Sequence, residues 1–484
     1  MKSKFNFYLK QSLVYNYLQS FLSKLISFSA SIILARILFV EDFGYILIAY
    51  TISSAIDVFS NVGLTSYYYQ KSLINESDEE KILATTYFLT SILFFIVFCL
   101  KILLSLYIKY KHNDIIGDIL LIQSFCIIFT IPNSIHTIRM QKKIKFKELS
   151  YANFLKEFFT SCTKCLLALT GLGPISVAYG ELIGRLTKSI FFTLYDENLP
   201  TIRKIDKSKI PIIIYFGKHG FLSGFFSFLN LQMDKMFFSY MYSPFQLGVY
   251  NFGLQNGGII NQFFLAPQRK LLSSYLIIVK DDLKKFNKKL ISISRLSTFI
   301  VLFFSFILYL NAEIFIKLIF GDKWIHSLSF LKLFILSGAV SSFFFSSNSL
   351  LQVFGYPQII SKIKIIKLPV FITILSISYF LKLEIYDTAV LFVAVNLLMS
   401  FFQQIISFKK IKIPIFGYYK NLTPIVLNYM FGLFICLLIG KFMNGSFSFI
   451  YQTIGFCFAY LIFGIVYLKA VLVNDYNIIK NKER

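Results

Sequence analysis

The sequence predicts an all-α integral membrane protein with about fourteen transmembrane helices. Hydrophobic residues make up 56% of the 484-residue chain and charged residues only 15%, whereas about a quarter of the residues in soluble domains are charged. Apolar stretches of about 20 residues, the length that spans a bilayer, recur along the whole chain. Basic residues collect in every second connection between these stretches, as the positive-inside rule predicts for cytoplasmic loops.

The predicted spans form two groups of six and a final pair. The first six lie near 12–36, 45–67, 82–107, 115–138, 150–171 and 175–195. The next six lie near 212–241, 246–268, 290–311, 330–353, 364–382 and 385–407, and the last two near 422–441 and 447–470. We predict an N-lobe at 1–197, a cytoplasmic linker at 198–211, a C-lobe at 212–410 and a C-terminal helix pair with its tail at 411–484. The even count and the basic flanks place both termini in the cytoplasm.

Composition and motifs argue against nucleic-acid binding and catalysis. The net charge of +25 is spread over short connections, whereas a nucleic-acid protein concentrates charge on a soluble domain. The chain lacks the P-loop pattern of ATPases, and its four His have no metal-ligand spacing. We therefore expect no enzyme activity, no cofactor and no metal site. The sequence leaves open whether H⁺ or Na⁺ serves as a coupling ion.

Four predicted helices carry polar residues at steps of three and four, which places them on one helical face. In the first and second spans these are Asn16, Ser20, Ser23, Lys24, Ser27 and Ser31, then Ser53, Ser54, Asp57, Ser60 and Asn61. In the seventh and eighth spans they are Gly220, Ser223, Ser227, Asn230 and Asp234, then Asn251, Gln255, Gly258 and Gln262. Lipid does not accommodate such polar stripes, so we expect them to face protein or water.

The polar stripes belong to an internal repeat. The first outer turn, Asp42-Phe43-Gly44-Tyr45, has a counterpart in Gln246-Leu247-Gly248-Val249-Tyr250, and Phe21-Leu22-Ser23 recurs as Phe221-Leu222-Ser223. Both halves begin on the inside, so the repeat predicts two six-helix lobes related by an axis along the membrane normal. Polar stripes at matching places in two lobes are typical of transporters.

Several basic residues lie inside predicted spans. Those near helix ends can extend their charge to the membrane surface; they are Lys101, Lys188, Arg295, Lys332 and Lys469. Four lie deeper, where each costs about 2.5–3.5 kcal/mol on insertion scales; they are Lys24, Lys164, Arg185 and Lys235. An ion pair, a wet cavity or an anionic ligand must offset that cost.

The expected roles of these charges differ. Glu181 and Arg185 are four residues apart on one helix, which predicts a structural ion pair. Lys24 has no acidic neighbour on its own helix, and serines flank it on one face, so a cavity-lining role is favoured. Pairing with Asp57 is the alternative for Lys24, and for Lys164 the structural and functional interpretations are equally supported.

A cationic cavity suits an anionic cargo. Lipid-linked sugars carry a pyrophosphate, and Lys or Arg in a wet groove would replace the hydration that the phosphates lose on entering the bilayer.

The order of short motifs also resembles a known family. Ala35-Arg36-Ile37-Leu38 followed by Glu41-Asp42-Phe43-Gly44-Tyr45, then Asn61-Val62-Gly63-Leu64, Asp234-Lys235 and Leu247-Gly248-Val249-Tyr250, resemble the motifs of Wzx-type bacterial polysaccharide flippases. These belong to the multidrug/oligosaccharidyl-lipid/polysaccharide exporter (MOP) superfamily. The resemblance implies a V-shaped, MATE-like pair of lobes around a cavity lined by helices 1, 2, 7 and 8.

The resemblance further implies alternating access that moves undecaprenyl-pyrophosphate-linked oligosaccharide to the periplasmic leaflet of the bacterial inner membrane, for O-antigen, capsule or exopolysaccharide synthesis. A polysaccharide polymerase and chain-length machinery are expected partners. The expected cavity residues are Lys24, Ser20, Ser27, Asp57, Asn61, Asn230, Asp234, Lys235, Gln255 and Gln262, with Lys164, Arg185 and Glu181 as further candidates.

The sequence is also compatible with two other functions. A cation-coupled drug exporter of the same superfamily would favour an acidic cavity, for which Asp57, Glu181 and Asp234 are candidates. A membrane glycosyltransferase or polysaccharide polymerase would be expected to carry a large outer loop with catalytic residues, whereas Glu41 and Asp42 lie in a very short turn.

Overall fold

The computed structural model describes residues 2–60, 76–111, 113–142, 145–195, 205–269, 272, 276, 282–442, 449–462 and 464. All regular secondary structure in these residues is helical, which confirms the predicted all-α class. The chain divides into two compact units, Met1–Gly248 and Val249–Arg484.

The first unit is built from long helices. They are α1 (Lys2–Ile37), α2 (Val40–Asp57), α3 (Glu76–Lys111), α4 (Asp114–Lys142), α5 (Phe146–Leu169), α6 (Ile175–Tyr195) and α7 (Ile210–Met241). The next helix, α8 (Pro244–Gly257), begins in the first unit and ends in the second. A π-helical turn at Asn261–Leu265 follows it.

The second unit contains the remaining helices. They are α9 (Leu283–Leu310), α10 (Ala312–Phe315), α11 (Leu328–Ser341), α12 (Ser347–Val353), α13 (Pro357–Phe380), α14 (Ile385–Ile411), α15 (Ile415–Phe442) and α16 (Phe449–Ile462). Its apolar core includes Leu290 and Val301 of α9, Phe408 of α14 and Ile425 of α15, all fully buried. Phe252 stacks on the buried Trp324 with ring centroids 4.2 Å apart.

Within the described residues, nine helical stretches are long and apolar enough to cross a membrane. The chain is therefore a multi-pass membrane protein, and the count of fourteen spans stays a prediction. Helices α2, α5 and α6 fall outside this set. Helices α2 and α6 each carry three charged residues and α5 carries five, so the helices outside the set include α6, which holds the Glu181–Arg185 pair.

Close helix packing in the first unit depends on small residues. Gly180 and Gly184 lie one turn apart on α6 and face α5. A methyl group at Gly180 would lie 2.7 Å from the Thr160 carbonyl oxygen, and one at Gly184 would overlap the Thr160 hydroxyl. This small-xxx-small pattern lets two membrane helices approach at backbone distance.

The predicted linker at 198–211 is described from residue 205 onward. The Asp206 amide donates to the Thr85 hydroxyl of α3 at 2.9 Å, and the Asp206 carboxylate accepts from the Ser208 amide at 3.0 Å. Hydrogen bonds from Ser208 lower the pKa of Asp206 below its usual value. The end of the linker is thus fixed to α3, and α7 begins at Ile210, close to the predicted start at 212.

Candidate functional site

From Ser20 onward, the polar stripe of α1 is less exposed than the opposite face of the helix. Ser20, Lys24 and Ser27 are half-buried, and Leu34, farther along the same face, is buried against α5. The opposite face carries apolar side chains that are largely exposed, and lipid would cover such a face; they are Phe21, Leu22, Leu25 and Ile33. This orientation agrees with the expectation that the stripe faces protein or water.

Asp57, at the end of α2, forms an ion pair with Lys101 of α3. The Lys101 ammonium lies 2.7 Å from the Asp57 carboxylate and donates to the Ser53 hydroxyl at 2.6 Å. The Lys101 side chain is only 1% exposed, so the expectation that Lys101 extends its charge to the membrane surface is wrong. The partner that the structure shows for Asp57 is Lys101, on a different helix.

Glu181 and Arg185 form the ion pair that their spacing predicts. The Arg185 guanidinium donates to Glu181 through Nε at 3.1 Å and to the Thr130 hydroxyl of α4 at 2.6 Å. The Asn133 amide of α4 donates to the Arg185 carbonyl at 3.0 Å. Tyr50 of α2 places its hydroxyl beside the Glu181 carboxylate. The pair thus connects α6 to both α2 and α4.

Lys164 lies on α5, in the interface with α6. Its side chain is half-buried, and the nearby acidic groups that act on its charge are Glu157 and Glu181. Its Cβ lies where a methyl group at Gly180 would approach to 2.8 Å. Lys164 therefore adds positive charge beside the Glu181–Arg185 pair.

Three candidates lie on α7, within the first unit. Asp234 is 5% exposed and its neighbour Lys235 is half-buried, so the two side chains point to different sides, as their adjacency in a helix predicts. The Lys235 ammonium donates to the Gln232 amide oxygen at 3.0 Å. The Asn230 side chain donates to the Phe226 carbonyl at 2.8 Å.

The stripe of α8 continues into the π-helical turn. The Gln255 amide donates to the buried Asn251 side chain at 3.1 Å. Gln255 and Gln262 are exposed and lie two turns apart on one face. Asn61, the remaining candidate, lies outside the described residues.

Sequence reasoning missed Lys101, Tyr50 and Thr130. A signal for Lys101 was present, because it lies ten residues before the end of α3 at Lys111, which is about 15 Å along a helix. A base at that depth is not at the membrane surface. No local sequence pattern marks Tyr50 or Thr130. Tyr50 approaches Glu181, and Thr130 approaches Arg185, only through the packing of α2 and α4 on α6.

Among the described residues, no three His, Cys, Asp or Glu side chains lie close enough to hold a metal ion. Among the expected cavity residues, the structure brings together Glu181 and Arg185, with Lys164 beside them.

Comparisons with known proteins give a family and a fold. A family model described as polysaccharide biosynthesis protein matches residues 33–329. An uncharacterized membrane protein in the cps region of Klebsiella pneumoniae is 20% identical over 358 residues, which is 73% of each chain.

Solved structures with the same fold are membrane transporters. The lipid II flippase MurJ, in an inward closed conformation, gives a TM-score of 0.72 at 17% identity, covering 95% of this chain and all of that one. An inward-facing multidrug MATE transporter of the MOP superfamily gives 0.59 at 12% identity over 84% of this chain and 96% of its own. A MOP transporter from Pyrococcus furiosus gives 0.58 at 12% identity over 83% and 96%. The predicted MATE-like helical fold is confirmed.

Proposed function

Because this chain belongs to the polysaccharide biosynthesis protein family, we propose that it is a flippase for lipid-linked oligosaccharides. In this proposal it moves undecaprenyl-pyrophosphate-linked repeat units from the cytoplasmic to the periplasmic leaflet by alternating access. The bond chemistry of the cargo does not change, and the proposal includes no cofactor. Either H⁺ or Na⁺ could supply the driving gradient.

The family match is the observation that carries this proposal. It spans residues 33–329, and so includes α2, α7 and α8, three of the four helices with polar stripes. The fold supports the same conclusion, because the solved structures that share it include a lipid II flippase and a multidrug transporter.

The charges of the first unit support an anionic cargo. Asp57 of α2 and Glu181 of α6 each have a basic partner, Lys101 for Asp57 and Arg185 for Glu181. Lys24 on the α1 stripe and Lys164 on α5 contribute further positive charge. Basic side chains in a partly hydrated site replace the hydration shell of a pyrophosphate through charge-assisted hydrogen bonds.

Lys24 is the residue on which we propose to test transport. In a strain that lacks the chromosomal copy, Lys24→Ala should abolish surface polysaccharide, and lipid-linked oligosaccharide should accumulate on the cytoplasmic leaflet. Lys24→Arg keeps the positive charge and should restore at least part of the surface polysaccharide. Immunoblots of membrane fractions must show equal amounts of both variants. Normal surface polysaccharide with Lys24→Ala would contradict a cargo-binding role for this residue.

The drug-exporter alternative loses two of its three acidic candidates. Asp57 and Glu181 each hold a basic side chain, so neither carboxylate offers an uncompensated negative charge to a cationic drug. If this alternative were right, deletion would raise drug sensitivity and leave the surface polysaccharide unchanged.

The glycosyltransferase alternative is tested on purified protein with lipid-linked substrate, where glycan elongation would contradict the flippase proposal.

We place the protein in the bacterial inner membrane with both termini in the cytoplasm. A polysaccharide polymerase and chain-length machinery would then act on the translocated repeat units on the periplasmic side.

A further inference from the structure

A groove of 570 Å³ lies in the first unit, away from the charge pairs, where α5 begins and α6 ends beside α1. Its walls are mostly apolar and aromatic; they include Leu22, Tyr151, Phe154, Phe191 and Tyr195. Tyr151 and Tyr195 are 57% and 44% exposed, so the groove opens to its surroundings. Its volume is within the range of small-molecule pockets.

The aromatic wall is held in one arrangement by its own contacts. The rings of Phe191 and Tyr195 stack with centroids 5.8 Å apart and planes 9° from parallel. Tyr151 lies 5.7 Å from Phe191. The Tyr195 hydroxyl donates to the Glu148 carboxylate at 3.0 Å. The groove is therefore preformed, which lowers the ordering cost of a bound hydrocarbon chain.

The rim of the groove is basic. Lys147 lines it and is exposed, and the Lys145 ammonium lies 5.2 Å from the centre of the Tyr195 ring. Glu148, the one acidic residue among the described residues of the lining, accepts the hydrogen bond from Tyr195. These lysines belong to a connection that the positive-inside rule assigns to the cytoplasm.

We propose that this groove binds an anionic phospholipid of the cytoplasmic leaflet. One acyl chain lies along Tyr151, Phe154 and Phe191, and the phosphate lies over Lys145 and Lys147. Basic pockets between helices on the cytoplasmic side of membrane proteins bind anionic headgroups in this way. A small polar anion would not need the aromatic wall, and an uncharged lipid would not need the lysines. The groove therefore fits a molecule that has both an acyl chain and a negative charge. Such a lipid would join α1 to α5 and α6.

The experiment measures lipid binding to the purified full-length protein, independently of transport. Native mass spectrometry and thermal unfolding would compare phosphatidylglycerol with phosphatidylcholine of the same acyl chains. The double variant Lys145→Glu/Lys147→Glu should lose affinity for phosphatidylglycerol by on the order of tenfold and keep its weak binding of phosphatidylcholine. Leu22→Trp, which fills the groove, should weaken the binding of both lipids.

Lys410→Glu is the matched control. Lys410 also lies over a tyrosine ring, 6.0 Å from the centre of Tyr356, and is exposed, but it is not part of this groove. It should leave phosphatidylglycerol binding unchanged. Equal binding of the two phospholipids by the unmodified protein would overturn the proposal, as would retention of undecaprenyl monophosphate in place of phosphatidylglycerol. Because the assay contains no transport step, these outcomes leave the flippase proposal unaffected.

Discussion

Lys101 and Asp57 form an ion pair in which the base is buried and the acid is not. The charged atoms are 2.7 Å apart, and the side chains are 1% and 40% exposed. The Ser53 hydroxyl accepts a second hydrogen bond from Lys101. Because Lys101 is buried and Asp57 is half-exposed, Lys101 depends on the interaction far more than Asp57 does.

This asymmetry predicts unequal costs for the two single substitutions. Asp57→Asn leaves the Lys101 ammonium buried without its counter-charge, and the free energy of unfolding should fall by about 3–5 kcal/mol. Lys101→Met removes the buried charge and leaves a half-exposed carboxylate, so it should cost clearly less. The double variant should be more stable than Asp57→Asn alone. Thermal or chemical unfolding in detergent measures all three variants.

The exposed pair formed by Lys109 and Asp118 provides the control. Its charged atoms are 2.6 Å apart, and its side chains are 46% and 30% exposed. Because water solvates both partners, Asp118→Asn should change stability little. If Asp57→Asn were as mild as Asp118→Asn, the burial of Lys101 would not have the consequence that we assign to it.

Arg185 binds one side chain on its own helix and one on α4 at the same time, which predicts that lysine cannot replace it. The guanidinium donates to Glu181 and, through another nitrogen, to Thr130. A lysine has a single ammonium and no rigid fork. Arg185→Lys should therefore lose a charge-assisted hydrogen bond and lower the free energy of unfolding by about 1.5–3 kcal/mol.

The control for Arg185 is the exposed pair formed by Glu313 and Lys317. This pair has the same four-residue spacing, with charged atoms 2.7 Å apart. The Lys317 ammonium donates to Glu313 and holds the pKa of that carboxyl below its usual value. Lys317→Arg should leave unfolding unchanged. An Arg185→Lys protein as stable as the parent would show that the Thr130 contact contributes little.

What the sequence could predict depends on how far apart the interacting residues lie along the chain. Glu181 and Arg185 are four residues apart on one helix, so helical geometry alone predicted their pairing. Asp57 and Lys101 lie on different helices, and their pairing depends on how α2 packs against α3. The all-α class follows from composition, because every spanning segment must satisfy its own backbone hydrogen bonds.

Glycine contacts show the same limit. The repeat aligned Gly44 with Gly248, but their neighbours follow only from the packed structure. A methyl group at Gly44 would overlap the Pro244 carbonyl oxygen, and one at Gly248 would overlap the Val40 carbonyl oxygen. Val40 begins α2, which carries Gly44, and Pro244 begins α8, which carries Gly248. The two aligned turns therefore make equivalent contacts with each other, and no pattern within either turn encodes this.

Gly184 provides a test of the packing between α5 and α6. Gly184→Ala would place a methyl group on the Thr160 hydroxyl and 2.7 Å from the Lys156 carbonyl oxygen. Such overpacking costs about 1–3 kcal/mol. Adding Thr160→Ala removes the hydroxyl but not the carbonyl, so the double variant should recover only part of the loss. Full recovery would mean that the backbone contact is not limiting, and no initial loss would mean that the helices can move apart.

The equivalence of Gly44 and Gly248 predicts matched and non-additive effects. Gly44→Ala and Gly248→Ala should each force α2 away from the turn between α7 and α8 and lower the free energy of unfolding by about 1–3 kcal/mol. Once one methyl group has separated the two backbones, the second meets less resistance, so the double variant should lose clearly less than the sum. Gly417→Ala is the control, because its nearest neighbour would be Pro414 at 3.5 Å, an ordinary contact, and alanine is the better helix former. Additive losses at Gly44 and Gly248 would show two independent contacts, and a loss at only one of them would contradict the equivalence.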